Sequence, residues 1–142
     1  MARKRTVGVA EAPQPAAAGA AAGPTRQQLA GYRGRLVAER AELLAQARDL
    51  EEAADAAAAG EVGFDEEYAD AGTVTFERER DLSLSQNARD LVEKIDRALE
   101  RMDHGTFGRC QACGGPVEPE RLDALPYALH CVADAQRRAR PR

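Results

Sequence analysis

The sequence is poor in the residues that build large cores, membrane spans and disulfide networks. Tryptophan is absent, aromatic residues make up 4% of the 142 positions, and only three cysteines occur. Leu, Ile, Val and Phe together number 24, whereas alanine alone accounts for 30 residues. This is too little bulky apolar surface for a thick globular core, and no run approaches the roughly 20 apolar residues of a membrane helix. These absences exclude a large enzyme core and predict a soluble chain of long, thin helices.

Charge is distributed unevenly along the chain. Residues 1–24 carry a net charge of +2 and are rich in Ala, Pro and Gly, a composition that predicts a disordered tail. No apolar segment follows the basic start, which predicts a cytoplasmic protein without a signal peptide. The strongest acidity lies in residues 61–75, where five acidic residues occur without a single Lys or Arg.

Two stretches have the periodicity of helices with one narrow apolar stripe. The first stripe repeats every seven residues, at Leu29, Leu36, Leu43 and Leu50. The second alternates steps of four and three, through Leu84, Ala88, Leu91, Ile95, Ala98 and Met102. We expect Thr25 to cap the first helix and Gly60 or Gly63 to end it. The pattern predicts an all-α fold dominated by a long antiparallel coiled-coil hairpin over residues 25–104, with its tip near 59–75.

The three cysteines have the spacing of a structural zinc site. Cys110 and Cys113 enclose two residues and precede a pair of glycines, and Cys131 follows after seventeen more residues. Where a four-cysteine site would have its last ligand, this chain has Asp134. A carboxylate oxygen can bind zinc, and this position falls one helical turn after Cys131. We therefore predict a small zinc-finger domain over residues 105–142, with Zn²⁺ held by the three cysteines and completed by Asp134, His130 or water.

Three short segments of the second helix and the finger carry a family resemblance. They read TFERERDL at 75–82, ALERM at 98–102 and GTFGRC at 105–110. Together with Arg121, Leu122, Ala124, Pro126 and Ala128 they resemble the DksA/TraR family of bacterial zinc-finger transcription regulators, over residues 65–137.

The resemblance implies a protein that binds RNA polymerase. In this family the coiled coil enters the secondary channel of the polymerase and brings acidic tip residues near the active centre. The family's tip motif has two Asp three positions apart and an Ala two positions later. Counting back from the cysteines without gaps gives Glu67, Asp70 and Gly72 at these positions.

Some relatives also bind ppGpp through three basic residues. The same count gives Lys94, Leu125 and Ala135, so that one cation remains to hold a highly charged nucleotide. The resemblance therefore implies weak or absent dependence on ppGpp.

Two other functions fit parts of the sequence. One is a structural coiled-coil adaptor, and the other is a DNA-binding zinc finger, suggested by Arg137, Arg138, Arg140 and Arg142. Sequence-specific DNA binding is not expected, because no recognition helix follows a second ligand pair and DNA phosphates would repel the acidic rod. We also expect a monomer. Enzymatic activity is not expected, because no paired acid and base and no phosphate-binding loop occur.

Overall fold

The computed structural model describes residues 23–60 and 68–140, and these residues form four helices. Two long helices, α1 (Arg26–Gly60) and α2 (Tyr68–Asp103), pack side by side, and two short ones, α3 (Pro119–Ala124) and α4 (Val132–Ala139), lie in the finger. At 1.5 Å per residue each long helix extends about 50 Å. The predicted helical hairpin with a small C-terminal finger is confirmed. Of the predicted disordered tail, residues 1–22 lie outside the described residues.

The two long helices run antiparallel. Three ion pairs connect them, namely Arg33 with Asp103, Arg40 with Asp96, and Glu51 with Arg89. Increasing residue numbers along α1 therefore pair with decreasing residue numbers along α2. Within residues 23–60 and 68–140, none of the helices is both long and apolar enough to span a bilayer.

Helix α1 begins with a capping box. The amide of Gln28 donates to Oγ1 of Thr25 at 3.2 Å, and the amide of Thr25 donates to Oε1 of Gln28 at 2.9 Å. These reciprocal bonds satisfy two amides that a helix start would otherwise leave unpaired. The prediction that Thr25 caps the helix is confirmed, and α1 ends at Gly60, one of the two glycines expected to stop it.

Helix α2 begins earlier than the sequence pattern indicates. The predicted turn extends to residue 75, but residues 68–75 are already helical. The stripe used for the prediction starts at Leu84. Toward the tip the partly buried positions of α2 are Val74, Arg78 and Asp81. Because two of these three are charged, an apolar periodicity could not reveal this part of the helix.

At two positions of α2, the buried residue lies one place after the residue that the predicted stripe contains. Ser85 and Val92 are buried, whereas Leu84 is 44% exposed and Leu91 is only partly buried. The Ser85 hydroxyl donates to Glu51 of α1 at 2.7 Å, so this buried polar group has a partner across the hairpin. The hydrogen bond between the two helices therefore explains why Ser85 is buried while the neighbouring Leu84 is exposed.

The main core lies where the open end of the hairpin meets the finger. It contains buried residues from both parts of the chain: Tyr32, Leu36, Ile95, Ala98, Phe107, Cys110, Val117, Leu122 and Cys131. The Tyr32 hydroxyl donates to Asp123 at 2.6 Å, and the Arg35 guanidinium donates to the Asp123 carbonyl at 2.9 Å. The residues assigned to the finger thus pack into one core with the base of the hairpin.

Candidate metal centre

Four side chains in the finger converge on one point. The sulfurs of Cys110, Cys113 and Cys131 and a carboxylate oxygen of Asp134 all lie within 4.8 Å of one another. Oδ2 of Asp134 is 3.1 Å from the Cys110 sulfur and 3.3 Å from the Cys131 sulfur, and the Cys113 and Cys131 sulfurs are 3.9 Å apart. Zn–S bonds of about 2.3 Å in a tetrahedron give sulfur–sulfur separations of about 3.8 Å. The cluster therefore has the size of a tetrahedral zinc site.

Backbone hydrogen bonds shape the loop that carries the first two cysteines. The Cys110 amide donates to the Gly115 carbonyl at 2.7 Å, and the Gly114 amide donates to the Cys110 carbonyl at 3.0 Å. Gly114 has φ of +71°, a conformation that side chains other than glycine strain to adopt. The glycines noted in the sequence thus let the chain turn around the sulfurs of Cys110 and Cys113.

Helix α4 supplies the remaining two side chains of the cluster. Cys131 occupies its N-cap and Asp134 its first turn, so their side chains share one face. The amide of Val132 donates to both carboxylate oxygens of Glu118, at 3.3 and 3.1 Å. Glu118 therefore caps α4 in place of Cys131, whose side chain points into the cluster of four side chains.

Hydrogen bonds within the cluster lower the pKa of Asp134 and raise the pKa of Cys113. Donation from Cys110, Cys113 and Cys131 lowers the pKa of Asp134 to about 2. The Gly115 amide lowers the pKa of Cys113, but hydrogen bonds with Asp134 and Cys110 outweigh it and raise that pKa to about 11. Protons on the thiols thus stabilise the carboxylate, and Zn²⁺ would replace those protons when it binds.

His130 is not among the four converging side chains of the described residues. Its Nδ1 lies 3.9 Å from the Cys110 sulfur, and its Nε2 lies 3.2 Å from the Arg138 guanidinium. Arginine can only donate, so a hydrogen bond between these two groups requires Nε2 to accept. The structure therefore places His130 beside the cluster of four side chains.

The finger and the whole hairpin can be compared with known proteins. Residues 105–139 match the family model described as the prokaryotic dksA/traR C4-type zinc finger. The solved structure of transcription factor DksA2 from Pseudomonas aeruginosa superposes with a TM-score of 0.69 and is 31% identical, covering 80% of this chain and 84% of that one. This chain belongs to the DksA/TraR family.

Curated proteins similar to this DksA/TraR family member align over shorter stretches. General stress protein 16O of Bacillus subtilis is 40% identical over 70 residues, which cover 49% of this chain and 43% of that protein. The RNA polymerase-binding transcription factor DksA of Caulobacter vibrioides is 34% identical over 74 residues, or 52% of each chain. The chain thus spans about half the length of these relatives. The family's C4-type finger and the chemistry of the cluster identify Zn²⁺ as the cofactor.

The tip positions of the DksA/TraR motif are described only in part. Glu67 lies outside the described residues, whereas Asp70 is the third residue of α2 and Gly72 follows in the same helix. Of the positions aligned with the basic trio of some relatives, Lys94 is exposed on α2 and Leu125 directly follows α3.

Sequence reasoning missed two residues that contact Asp134 or the helix that carries it. Arg137 donates to Oδ1 of Asp134 at 3.1 Å, and Glu118 caps the helix that carries Asp134. The spacing of three residues between Asp134 and Arg137 was a visible signal, because such pairs meet on a helix. No local signal connects Glu118 with Val132, which follows fourteen residues later.

Proposed function

We propose that this protein is a cytoplasmic transcription regulator that binds RNA polymerase directly. The observation that carries the proposal is the structural similarity to DksA2, which covers 80% of the chain. A relative named for RNA polymerase binding, DksA of Caulobacter vibrioides, supports the choice of partner.

We further propose that the hairpin enters the secondary channel of the polymerase. Two paired helices are about 20 Å across and, at about 50 Å in length, protrude well beyond the finger. The rod is therefore narrow enough to enter a channel and long enough to reach a buried centre. The net charge of −5 at residues 61–75 supports a tip that approaches Mg²⁺ rather than nucleic-acid phosphate.

Within the tip, Asp70 is the proposed acting residue. Exposed charges separated by more than about 8 Å are largely screened at physiological ionic strength, so a carboxylate must be delivered close to the reaction to affect it. Asp70 lies in the first turn of a long, continuous helix, which fixes its backbone position relative to the rod. Glu67 and Gly72 complete the motif in this proposal, with Glu67 in a supporting role because its longer side chain is less well positioned.

We propose that binding of ppGpp is weak or absent. Only Lys94 supplies a cation among the three positions of the basic trio, since the others are Leu125 and Ala135. One lysine cannot hold a nucleotide with four or more negative charges as tightly as a cluster of cations does.

We propose Cys110, Cys113, Cys131 and Asp134 as the zinc ligands. The convergence of their donor atoms within 4.8 Å supports this set over one that includes His130. In this proposal zinc has a structural role, because it connects the loop before α3 with the start of α4. Asp134→Ala should lower zinc affinity and Asp134→Cys should raise it, as measured by competition with a chromogenic chelator.

A DNA-binding finger has less support than a polymerase-binding rod. Arg137 and Arg138, two of the cations that suggested it, contact Asp134 and His130 inside the finger. A monomeric regulator is also favoured over an adaptor that dimerises through its seams, because the buried stripes of α1 and α2 face each other within one chain.

The proposal is tested by separating binding from regulation. Asp70→Asn keeps the size of the side chain and removes its charge, so co-purification with RNA polymerase core should be nearly unchanged while the effect on initiation at sensitive promoters is lost. The matched control is Asp90→Asn, an exposed aspartate on the same helix about 30 Å farther from the tip. The control should behave like the parent protein in both assays.

Three results would contradict parts of this proposal. A parent protein that does not co-purify with the polymerase core would contradict the partner, and a gel shift with DNA alone would favour the DNA-binding finger. If Asp70→Asn regulates like the parent, the tip is passive. If Asp70→Asn abolishes binding, the tip is an anchor rather than an acting group.

A further inference from the structure

The two oxygens of Asp134 face different partners. Oδ2 points at the sulfurs of Cys110 and Cys131, 3.1 and 3.3 Å away, whereas Oδ1 lies 3.1 Å from Nη1 of Arg137. The Asp134 side chain is 9% exposed and that of Arg137 is 76% exposed. An exposed guanidinium therefore contacts one oxygen of a carboxylate that is otherwise buried.

The second oxygen of a ligating carboxylate affects the coordination of the metal. A carboxylate can bind through one oxygen or through both, and the second mode would add a fifth ligand atom to a site that already has three sulfurs. A hydrogen bond to the second oxygen disfavours that mode. Zn²⁺ with three thiolates and one carboxylate also has a formal charge of roughly −2, which an adjacent guanidinium partly offsets.

We propose that Arg137 is a positioning residue that makes Asp134 a one-oxygen ligand and keeps the zinc four-coordinate. The proposal rests on the ligand role proposed for Asp134, and it gives Arg137 a role within the finger that is separate from binding any partner. Residues that orient metal ligands typically change metal affinity by about ten- to a hundredfold when they are replaced. Arg137 and Asp134 both belong to α4, so the ion pair between them forms when the helix forms.

The sequence offers a matched control for the charge of Arg137. Arg140 is also an exposed arginine and directly follows α4, but it lies six residues beyond Asp134. Arg140→Ala removes the same charge from the same end of the chain. Arg137→Lys is the complementary variant, because it retains the positive charge but loses the planar group that orients the carboxylate.

The experiment uses the full-length chain loaded with Co²⁺, whose visible absorption is intense in four-coordinate sites and weak at higher coordination. Arg137→Ala should weaken this absorption and lower zinc affinity about tenfold in competition with a chromogenic chelator. Arg137→Lys should restore part of the affinity, and Arg140→Ala should match the parent in both readouts. Far-UV circular dichroism of each metal-loaded variant verifies that the helices are intact.

The possible outcomes separate this inference from the ligand assignment. If Asp134→Ala has the cobalt spectrum of the parent, Asp134 is not a ligand and both proposals are wrong. If Asp134→Ala changes the spectrum but Arg137→Ala does not, only the role of Arg137 is overturned. If Arg140→Ala lowers zinc affinity as much as Arg137→Ala does, the effect is general electrostatics, and the positioning role is again overturned.

Discussion

The end of the hairpin beside the finger and the end toward the tip are packed with different side chains. Beside the finger, Leu36 and Ile95 are fully buried, and Tyr32 packs against the ring of Phe107. Toward the tip, the buried positions are small: Ala47, Ala54, Ser85 and Ala88. Full burial of a large aliphatic side chain contributes about 1.5–3 kcal/mol, several times what an alanine methyl contributes.

This difference indicates that stability is graded along the rod. The base is held by large side chains, by the shared core with the finger and, through the finger, by zinc. The part toward the tip is held by small buried side chains, by leucines that are only partly buried, such as Leu50 and Leu91, and by the polar contacts of Glu51 with Ser85 and Arg89. We expect local opening to begin toward the tip and to reach the base only on global unfolding.

Removal of zinc should have the largest effect and should act on the base. Binding of structural zinc contributes on the order of 10 kcal/mol to small fingers, so a strong chelator should unfold residues 105–139 while much of α1 and α2 remains helical. Hydrogen exchange followed by mass spectrometry measures both regions in one experiment. Restored protection on adding zinc is the control. Equal loss of protection in the finger and in the outer hairpin would contradict the graded picture.

Truncation of a base residue should have the next largest effect. Ile95→Ala should lower the free energy of unfolding by about 2–5 kcal/mol, because it leaves a cavity in the shared core. The matched control is Leu84→Ala, which truncates a leucine that is 44% exposed and should cost less than about 1 kcal/mol. Urea denaturation of both variants provides the measurement. Similar losses would show that the register of α2 follows the apolar pattern of the sequence after all.

The contact between hairpin and finger should contribute less. Tyr32→Phe removes the hydrogen bond to Asp123 and should cost about 1–2 kcal/mol, with Tyr127→Phe as a control in the finger. Burial, followed by the bond to Asp123, raises the pKa of Tyr32 to about 12 from an ordinary 10.0. Its stabilising contribution is therefore complete below pH 10 and is lost as the pH rises toward 12. Tyrosinate absorbance during an alkaline titration checks the assignment, and ionisation of all tyrosines together would contradict it.

The smallest effect is expected for the polar contacts toward the tip. Hydrogen bonds from Arg89 and Ser85 lower the pKa of Glu51 to about 2 from 4.5. A lowered carboxyl pKa stabilises the fold above pH 4.5, and this contribution is lost as the pH falls toward 2. Glu51→Gln should flatten the stability profile in that window, whereas Glu52→Gln, at the exposed neighbouring position, should retain the profile of the parent. Thermal melts at several acidic pH values provide the test.

The elements of the fold could be predicted where a local signal exists. Thr25 and Gln28 have the spacing of a capping box, and Leu36 and Ile95 stand out as large apolar residues at helical intervals. The convergence of three cysteines and Asp134 likewise follows from spacing that zinc chemistry requires. In each case the residues that matter are close in sequence or belong to a regular repeat.

Features that depend on a distant partner could not be predicted in this way. Ser85 is buried because Glu51 faces it across the hairpin, and hydropathy alone favours Leu84 at that step. The bond between Tyr32 and Asp123 joins residues 91 positions apart. The early start of α2 was missed because its first turns lack an apolar stripe.

The seven-residue repeat also restricts how the reach of the rod can change. Deleting one heptad from each long helix would retract the tip by about 10 Å and return every remaining side chain to its partner. Deleting three or four residues from each would leave the helices out of phase, because neither number completes the repeat, and the tip would turn about the rod axis by tens of degrees. The length of the rod and the orientation of its tip about the rod axis are therefore coupled. Insertions or deletions of whole heptads change the length of the rod and keep the orientation of the tip.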